Sequence, residues 1–256
     1  MHQISKKIAL GAVLAISAYS SFAAETSAPT HGTISGSATV LNKYIYRGGE
    51  ENDDVTLQAG LEYAHNSGFF AGYWGSTLMY DPTDETEEHG FEHDFYVGFA
   101  NDINEDWSYK TQIVSYVYQG GGSIYNEDRS DKRRTTAVEL INDINYKDFT
   151  FSTGVLLNDV NYGNAGDLYL SAAYSYALPQ DFSLNTSVGA FVYNDAQDDD
   201  FVTTNKHLTF SEARLGLSKP LANTGAELSL DYIWTGKDRE GSSLDDHFVI
   251  GLNYSF

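Results

Sequence analysis

Apolar and polar residues change places at every second position through most of this chain, and that period leaves room for little except strands. Val55, Leu57, Ala59, Leu61 and Tyr63 alternate with Thr56, Gln58, Gly60 and Glu62. Twelve such stretches start near Thr33, Val55, Gly68, Gly90, Asp106, Thr135, Asp148, Asp167, Asp181, His207, Thr224 and His247, and none of comparable length repeats at the helical period. Most are longer than the ~5–6 residues of a common globular strand and match the ~9–11 that a tilted strand needs to cross a bilayer.

A soluble sandwich also gives each strand one apolar face, so the connections have to discriminate. Segments 47–54, 81–89, 119–134, 158–167, 193–206 and 235–246 are long, and the intervening 65–68, 101–105, 145–148, 178–181 and 219–223 are short. Short periplasmic turns alternating with longer outer loops belong to up-and-down membrane barrels, whereas Greek-key sandwiches mix their connections. The expected fold is therefore all-β, a twelve-stranded antiparallel up-and-down transmembrane β-barrel. All four prolines, Pro29, Pro82, Pro179 and Pro220, fall outside the expected strands, as they must where no ladder N–H can be spared.

The first residues point to the same compartment. Lys6 and Lys7 precede an apolar run from Ile8 to Ile16, and small residues follow at Ser21, Ala23 and Ala24, which reads as a signal peptide over 1–24. One domain, 25–256, remains. Acidic residues outnumber basic ones 36 to 15, for a net charge of −21, so nucleic acid and anionic headgroups are repelled as partners. No cysteine is present, which excludes a disulfide framework and thiol chemistry.

The two faces of the expected strands carry different chemistry. Large rings stand near the ends of the apolar face, as with Tyr44 and Tyr46, Phe95 and Phe99, Trp107 and Tyr109, Tyr174 and Tyr176, and Tyr232 and Trp234, the pattern of interfacial aromatic girdles. The opposite face holds Lys43, Arg47, Glu62, Glu92, Asp94, Lys110, Glu139, Asp143, Glu212, Arg214, Glu227 and Asp231, which in a barrel line the lumen and give it a net negative field. Twelve strands lie between the ~8 that leave a filled interior and the ~16 that leave an aqueous channel. The last strand ends on Phe256 with Phe248, Ile250, Leu252 and Tyr254 on the same face, which looks like the assembly signal that barrel-insertion machinery reads.

Residues Ala38 to Ser76 resemble the first three strands of the TorF-type porin family of bacterial outer-membrane β-barrels, formerly conserved hypothetical proteins. The matching features are Tyr44 to Gly48, Gln58 to Gly60, Tyr63 to His65 and Ser67 to Gly75, about a sixth of the chain. The resemblance implies an outer-membrane porin.

Other candidate sites weigh less. The loop acids Glu50, Glu51, Asp53 and Asp54, then Asp81, Asp84, Glu85, Glu87 and Glu88, then Asp195, Asp198, Asp199 and Asp200 would suit Ca²⁺ or Mg²⁺, yet none has EF-hand spacing and a solvated rim is the favoured reading. His89 and His93 would stand ~13 Å apart on a strand, too far to share a zinc ion. An enzymatic alternative is a phospholipase-like site on the lipid-facing surface formed by Ser115, His93 and Asn142, with Asn142 set too deep to orient His93. The reading adopted is passive diffusion of small hydrophilic solutes, with cations preferred, through a barrel without catalytic residues, cofactor or metal. Its surroundings are outer-membrane lipid and lipopolysaccharide, and a plugged structural barrel is the plain rival.

Overall fold

A computed structural model describes residues 31–82 and 88–256. The expected signal peptide, Pro29, and Asp84, Glu85 and Glu87 lie outside the described residues. Alternation of apolar and polar side chains produces strands β1 (Gly32–Leu41), β2 (Tyr44–Tyr46), β3 (Gly49–Asn52), β4 (Thr56–His65), β5 (Phe69–Leu78), β6 (Gly90–Asp102), β7 (Trp107–Tyr118) and β8 (Ser123–Tyr125). They are followed by β9 (Lys132–Arg134), β10 (Ala137–Tyr146), β11 (Phe149–Leu156), β12 (Leu168–Ala177), β13 (Ser183–Val192), β14 (Leu208–Pro220), β15 (Ala226–Thr235) and β16 (His247–Ser255).

Twelve of these strands form one closed antiparallel barrel in which each pairs with its neighbour in sequence, and β1 closes on β16 with Val40 opposite Leu252. The expected fold class is therefore the observed one. Closure leaves no free edge, so every strand finds both ladders. The remaining strands form two small hairpins inside long loops, β2 with β3 and β8 with β9. Among the described residues no helix is long and apolar enough to cross a membrane, which says nothing of crossing by strands.

Register gives the outer surface a band of apolar side chains that runs across the whole sheet. Tyr73 faces Phe95, Trp107 meets Tyr146 with tilted rings at 4.5 Å, and Phe149 meets Tyr174 at 4.5 Å. Ile34, Leu61, Val97, Phe151, Leu215 and Ile250 are exposed there, a large unburied apolar belt of a kind that water-soluble monomers rarely display.

Two details depart from the sequence reading. Pro220 is the last residue of β14, opposite Glu227, at a strand end where a missing N–H is tolerated. The first strand also stops at Leu41 instead of running through Tyr46, and the chain turns inward.

Candidate functional site

The inward turn makes the site. Asn42 follows β1 with its side chain bonded to the backbone of Phe248 and Ile250, and β2 then leaves the wall. Arg47 and Gly48 take positive φ, +48° and +82°, to reverse the chain into β3. Glycine adopts this conformation freely, and at Gly48 a Cβ would also press on the Ser211 carbonyl.

The hairpin crosses the lumen at the long-loop end with both faces covered. Tyr44 and Tyr46 pack with Trp74, Val114, Tyr116 and Ile141 on one wall, while Ile45 packs against Ile233 and Val249 on the opposite wall. These two tyrosines are therefore interior plug residues and not part of an outer girdle. The alternation that suggested the girdle is real, but its two faces meet two walls of the lumen instead of lipid and lumen.

Arg47 fixes the tip. Its guanidinium donates to both oxygens of Glu139 at 2.7 and 3.1 Å, and it lies between the rings of Tyr46 and Tyr169 at 4.7 and 4.3 Å. Tyr116 adds a hydroxyl donor to Glu139 at 2.6 Å. A bidentate, hydrogen-bonded pair is the form in which a buried charge is tolerated, and removing one partner of such a pair costs about 3–5 kcal/mol. Gly154 is required beside it, because a Cβ there would collide with the Glu139 carboxylate.

A bulge on β14 supplies the opposite anchor. The register shifts between Gly189 and Ala190, so Ser211 and Glu212 both reach the interior from consecutive positions. Ser211 donates its hydroxyl to the Arg47 carbonyl, and Glu212 accepts the Gly48 amide at 3.0 Å. Tyr44 donates to Glu92 at 3.3 Å, and Tyr80 donates to Glu51.

The twelve charged residues expected in the lumen divide by height. Glu92, Asp94, Glu139 and Glu212 are buried at the hairpin level, where Arg47 joins them. Lys43 is not among them; it is a loop residue paired with Glu50 at 3.1 Å. Glu62, Lys110, Asp143, Arg214, Glu227 and Asp231 lie on inward-facing positions that are only part-buried. Arg214 approaches Glu212 at 3.7 Å, Lys110 sits over the Phe70 ring at 4.7 Å, and Asp143 accepts from Ser152 at 2.5 Å. Small polar side chains such as Ser37, Thr39, Ser152 and Ser171 make up much of the wall there.

Over the hairpin the long loops knit together through two arginines that sequence reading missed. Arg133 donates to Asp199 at 2.6 Å, to Asn164 at 2.7 Å and to the carbonyls of Val160 and Gly163. Arg239 donates to Asp167 at 2.8 Å and to Thr204 at 2.7 Å. The loop acids thus serve as ties: Asp198 accepts from Asn164 and Thr204, Asp200 from Asn126, and Asp195 faces His207 at 3.6 Å. Burial pushes the Asp198 carboxyl up, but the Thr204 amide and hydroxyl, Asn164 and Arg239 together hold it below its ordinary range. Among the described residues no three carboxylates or histidines converge as metal ligands. A cavity of about 80 Å³ remains between hairpin and cap, lined by Arg47, Glu139, Tyr169, Phe191, Tyr193 and Arg239, with mostly apolar walls.

The outer-surface trio does not assemble. His93 is bonded to the Tyr73 hydroxyl at 2.9 Å, Asn142 accepts from Thr111 at 2.8 Å, and Ser115 stands in register with Phe95 and Val138. His93 and Asn142 are thus taken by local partners, and no hydrogen bond links Ser115, His93 and Asn142 into a chain of nucleophile, base and orienting amide. Phe248, Ile250, Leu252, Tyr254 and Phe256 are all exposed on the outer face of the barrel.

A family model described as "Bacterial protein of unknown function (Gcw_chp)" matches residues 23–256. No curated protein sequence matches the chain. Among solved structures, the KdgM porin superposes with a TM-score of 0.52 at 8% identity, covering 87% of this chain and 99% of that one. OprD of Pseudomonas aeruginosa gives 0.42 at 11% identity over 87% of this chain and 66% of its own. OpdK of the same organism gives 0.43 at 12%, over 86% and 61%. At these identities the likeness is one of fold, and KdgM carries it.

Proposed function

The chain belongs to the Gcw_chp family of bacterial proteins of unknown function, and from that premise we propose that it is a porin-type channel of the outer membrane, passing small hydrophilic solutes passively and favouring cations. The observation that carries this reading is the division of surfaces: a closed barrel with a continuous apolar exterior whose acidic strand residues all face the interior. In water that arrangement is unfavourable, and across a bilayer it is the expected one. Lipid and lipopolysaccharide then surround the apolar belt, and the alternate hydrophobics from Phe248 to Phe256 are what insertion machinery would read. The likeness of Ala38–Ser76 to TorF-type porins supports the same assignment.

Solutes would meet the cap first, then the hairpin constriction, then the segment lined by Glu62, Asp143, Glu227 and Asp231. Carboxylates at low-dielectric walls raise the local cation concentration. Planar-bilayer recording of the purified protein tests the reading. Small conductance steps with a cation-directed reversal potential support it, and an anion-directed potential overturns the selectivity. Persistently silent membranes support the second reading, a structural barrel, which the Arg47–Glu139 latch across the lumen favours. Lipid hydrolysis that is lost on Ser115→Ala would replace both with the enzymatic alternative.

A further inference from the structure

Asp94 on β6 is 1% exposed, and neither of its carboxylate oxygens has a hydrogen-bond partner. Glu92 and Glu139 both bear on it electrostatically as like charges, and no basic side chain offsets them. The neighbouring carboxylates differ in this respect. Glu139 has Arg47 and Tyr116, Glu212 has the Gly48 amide, and Glu51 has Tyr80. On the same wall, from β4 to β7, the amide oxygens of Gln58 and Gln112 are likewise buried without a donor. Trp74 and Tyr116 flank Asp94 in register on the adjoining strands. Gln58 and Gln112 lack donors, and Asp94 lacks both a donor and a counter-charge. An unpaired buried carboxylate is too costly to persist without a counter-charge.

We propose that this inner wall binds a dehydrated monovalent alkali cation, sodium or potassium, at Asp94. Hard cations take carboxylate, amide and hydroxyl oxygens. One carboxylate with neutral oxygens suits a single charge, whereas a divalent ion would call for the converging acidic ligands that the described residues do not offer. The faces of Trp74 and Tyr116 add attraction for a cation held between them. Occupancy would neutralise the wall on which Tyr44 and Tyr46 pack and so hold the hairpin in place. The proposal rests on the position of Asp94 in the fold and not on transport.

The test uses the full folded chain in detergent micelles, unfolded by heat in sodium, potassium or choline chloride at equal ionic strength. The expected result is a transition several degrees higher in an alkali salt than in choline, with the difference lost in Asp94→Asn. Equal transitions in the three salts would mean that a proton cancels the charge, and the proposal falls. An alkali-specific rise that persists in Asp94→Asn puts the ion elsewhere and overturns it too. Sodium-23 NMR of the unsubstituted protein decides the matter even if the variant does not fold: line broadening reversed by potassium is expected, and its absence is fatal. Neither measurement reads conductance, so a silent bilayer leaves this result standing.

Discussion

Glu139 and Asp143 stand four residues apart on the inward face of β10, yet their surroundings have little in common. Glu139 is buried, clamped by Arg47 and Tyr116, and forms part of a cross-lumen plug. Asp143 is part-buried, bonded to Ser152, and faces a wall of small side chains. The barrel is thus crossed by a buried plug at the long-loop end and lined by part-buried polar groups towards the other. One strand serves both regions because what differs is the loop that enters from above, not the wall. A closed ladder supplies the shape, while the inward hairpin supplies the constriction.

The largest expected effect lies in the filled region. Glu139→Ala leaves the Arg47 guanidinium buried without its carboxylate, so the folded barrel should lose about 3–5 kcal/mol in denaturant unfolding. In bilayers the released hairpin should raise single-channel conductance. A loss as small as that of a surface substitution would erase the contrast between the two regions. Next comes the cap. Arg239→Ala leaves Asp167 without its ion pair, at a cost of about 1–3 kcal/mol, read as faster proteolysis of the long loops with barrel strands intact. Asp143→Asn, by contrast, should change stability by less than about 1 kcal/mol while moving the reversal potential away from cations. A stability change as large as that of Glu139→Ala would show that the lower wall is packed as tightly as the upper.

The smallest effect is a pH dependence of the cap. The folded-state carboxyl of Asp198 is held below its ordinary range, so its contribution is present above the unfolded value of ~3.9 and is lost as pH falls through the lower folded value. Loop proteolysis should accelerate only below about pH 4, and Asp198→Asn should reduce that acid step. Because Asp198 is largely solvated, the step should be slight beside the Arg239 effect.

Much of the frame was legible in the chain. The stretch from Val55 to Tyr63 announces β4 through period two alone, and the contrast between segments such as 145–148 and 119–134 gives the up-and-down order. The plug was not legible, because Tyr44-Ile45-Tyr46 continues the alternation and its rings suit an interfacial girdle equally well. Gly48-Gly49 fell in the expected connection 47–54, where a reversal is ordinary and nothing local says that it lies inside the barrel. The bulge that turns both Ser211 and Glu212 inward was hidden for a similar reason: Ser-Glu-Ala-Arg reads as ordinary alternation, and the extra residue is exposed only by the partner strand's register. Arg133 and Arg239 lay in charged loops where nothing local marks a buried ion pair.

The stacking of cap over hairpin also dictates an order of events. Val160 and Tyr162 of the fourth long loop close onto Tyr44 and Tyr46, so once Arg133 and Arg239 have tied the loops together the hairpin has no way in from outside. The reversal between the first two barrel strands must therefore reach its seat while the mouth is still unsealed. A polypeptide that knits its outer loops too early would leave that short segment stranded outside a closed door.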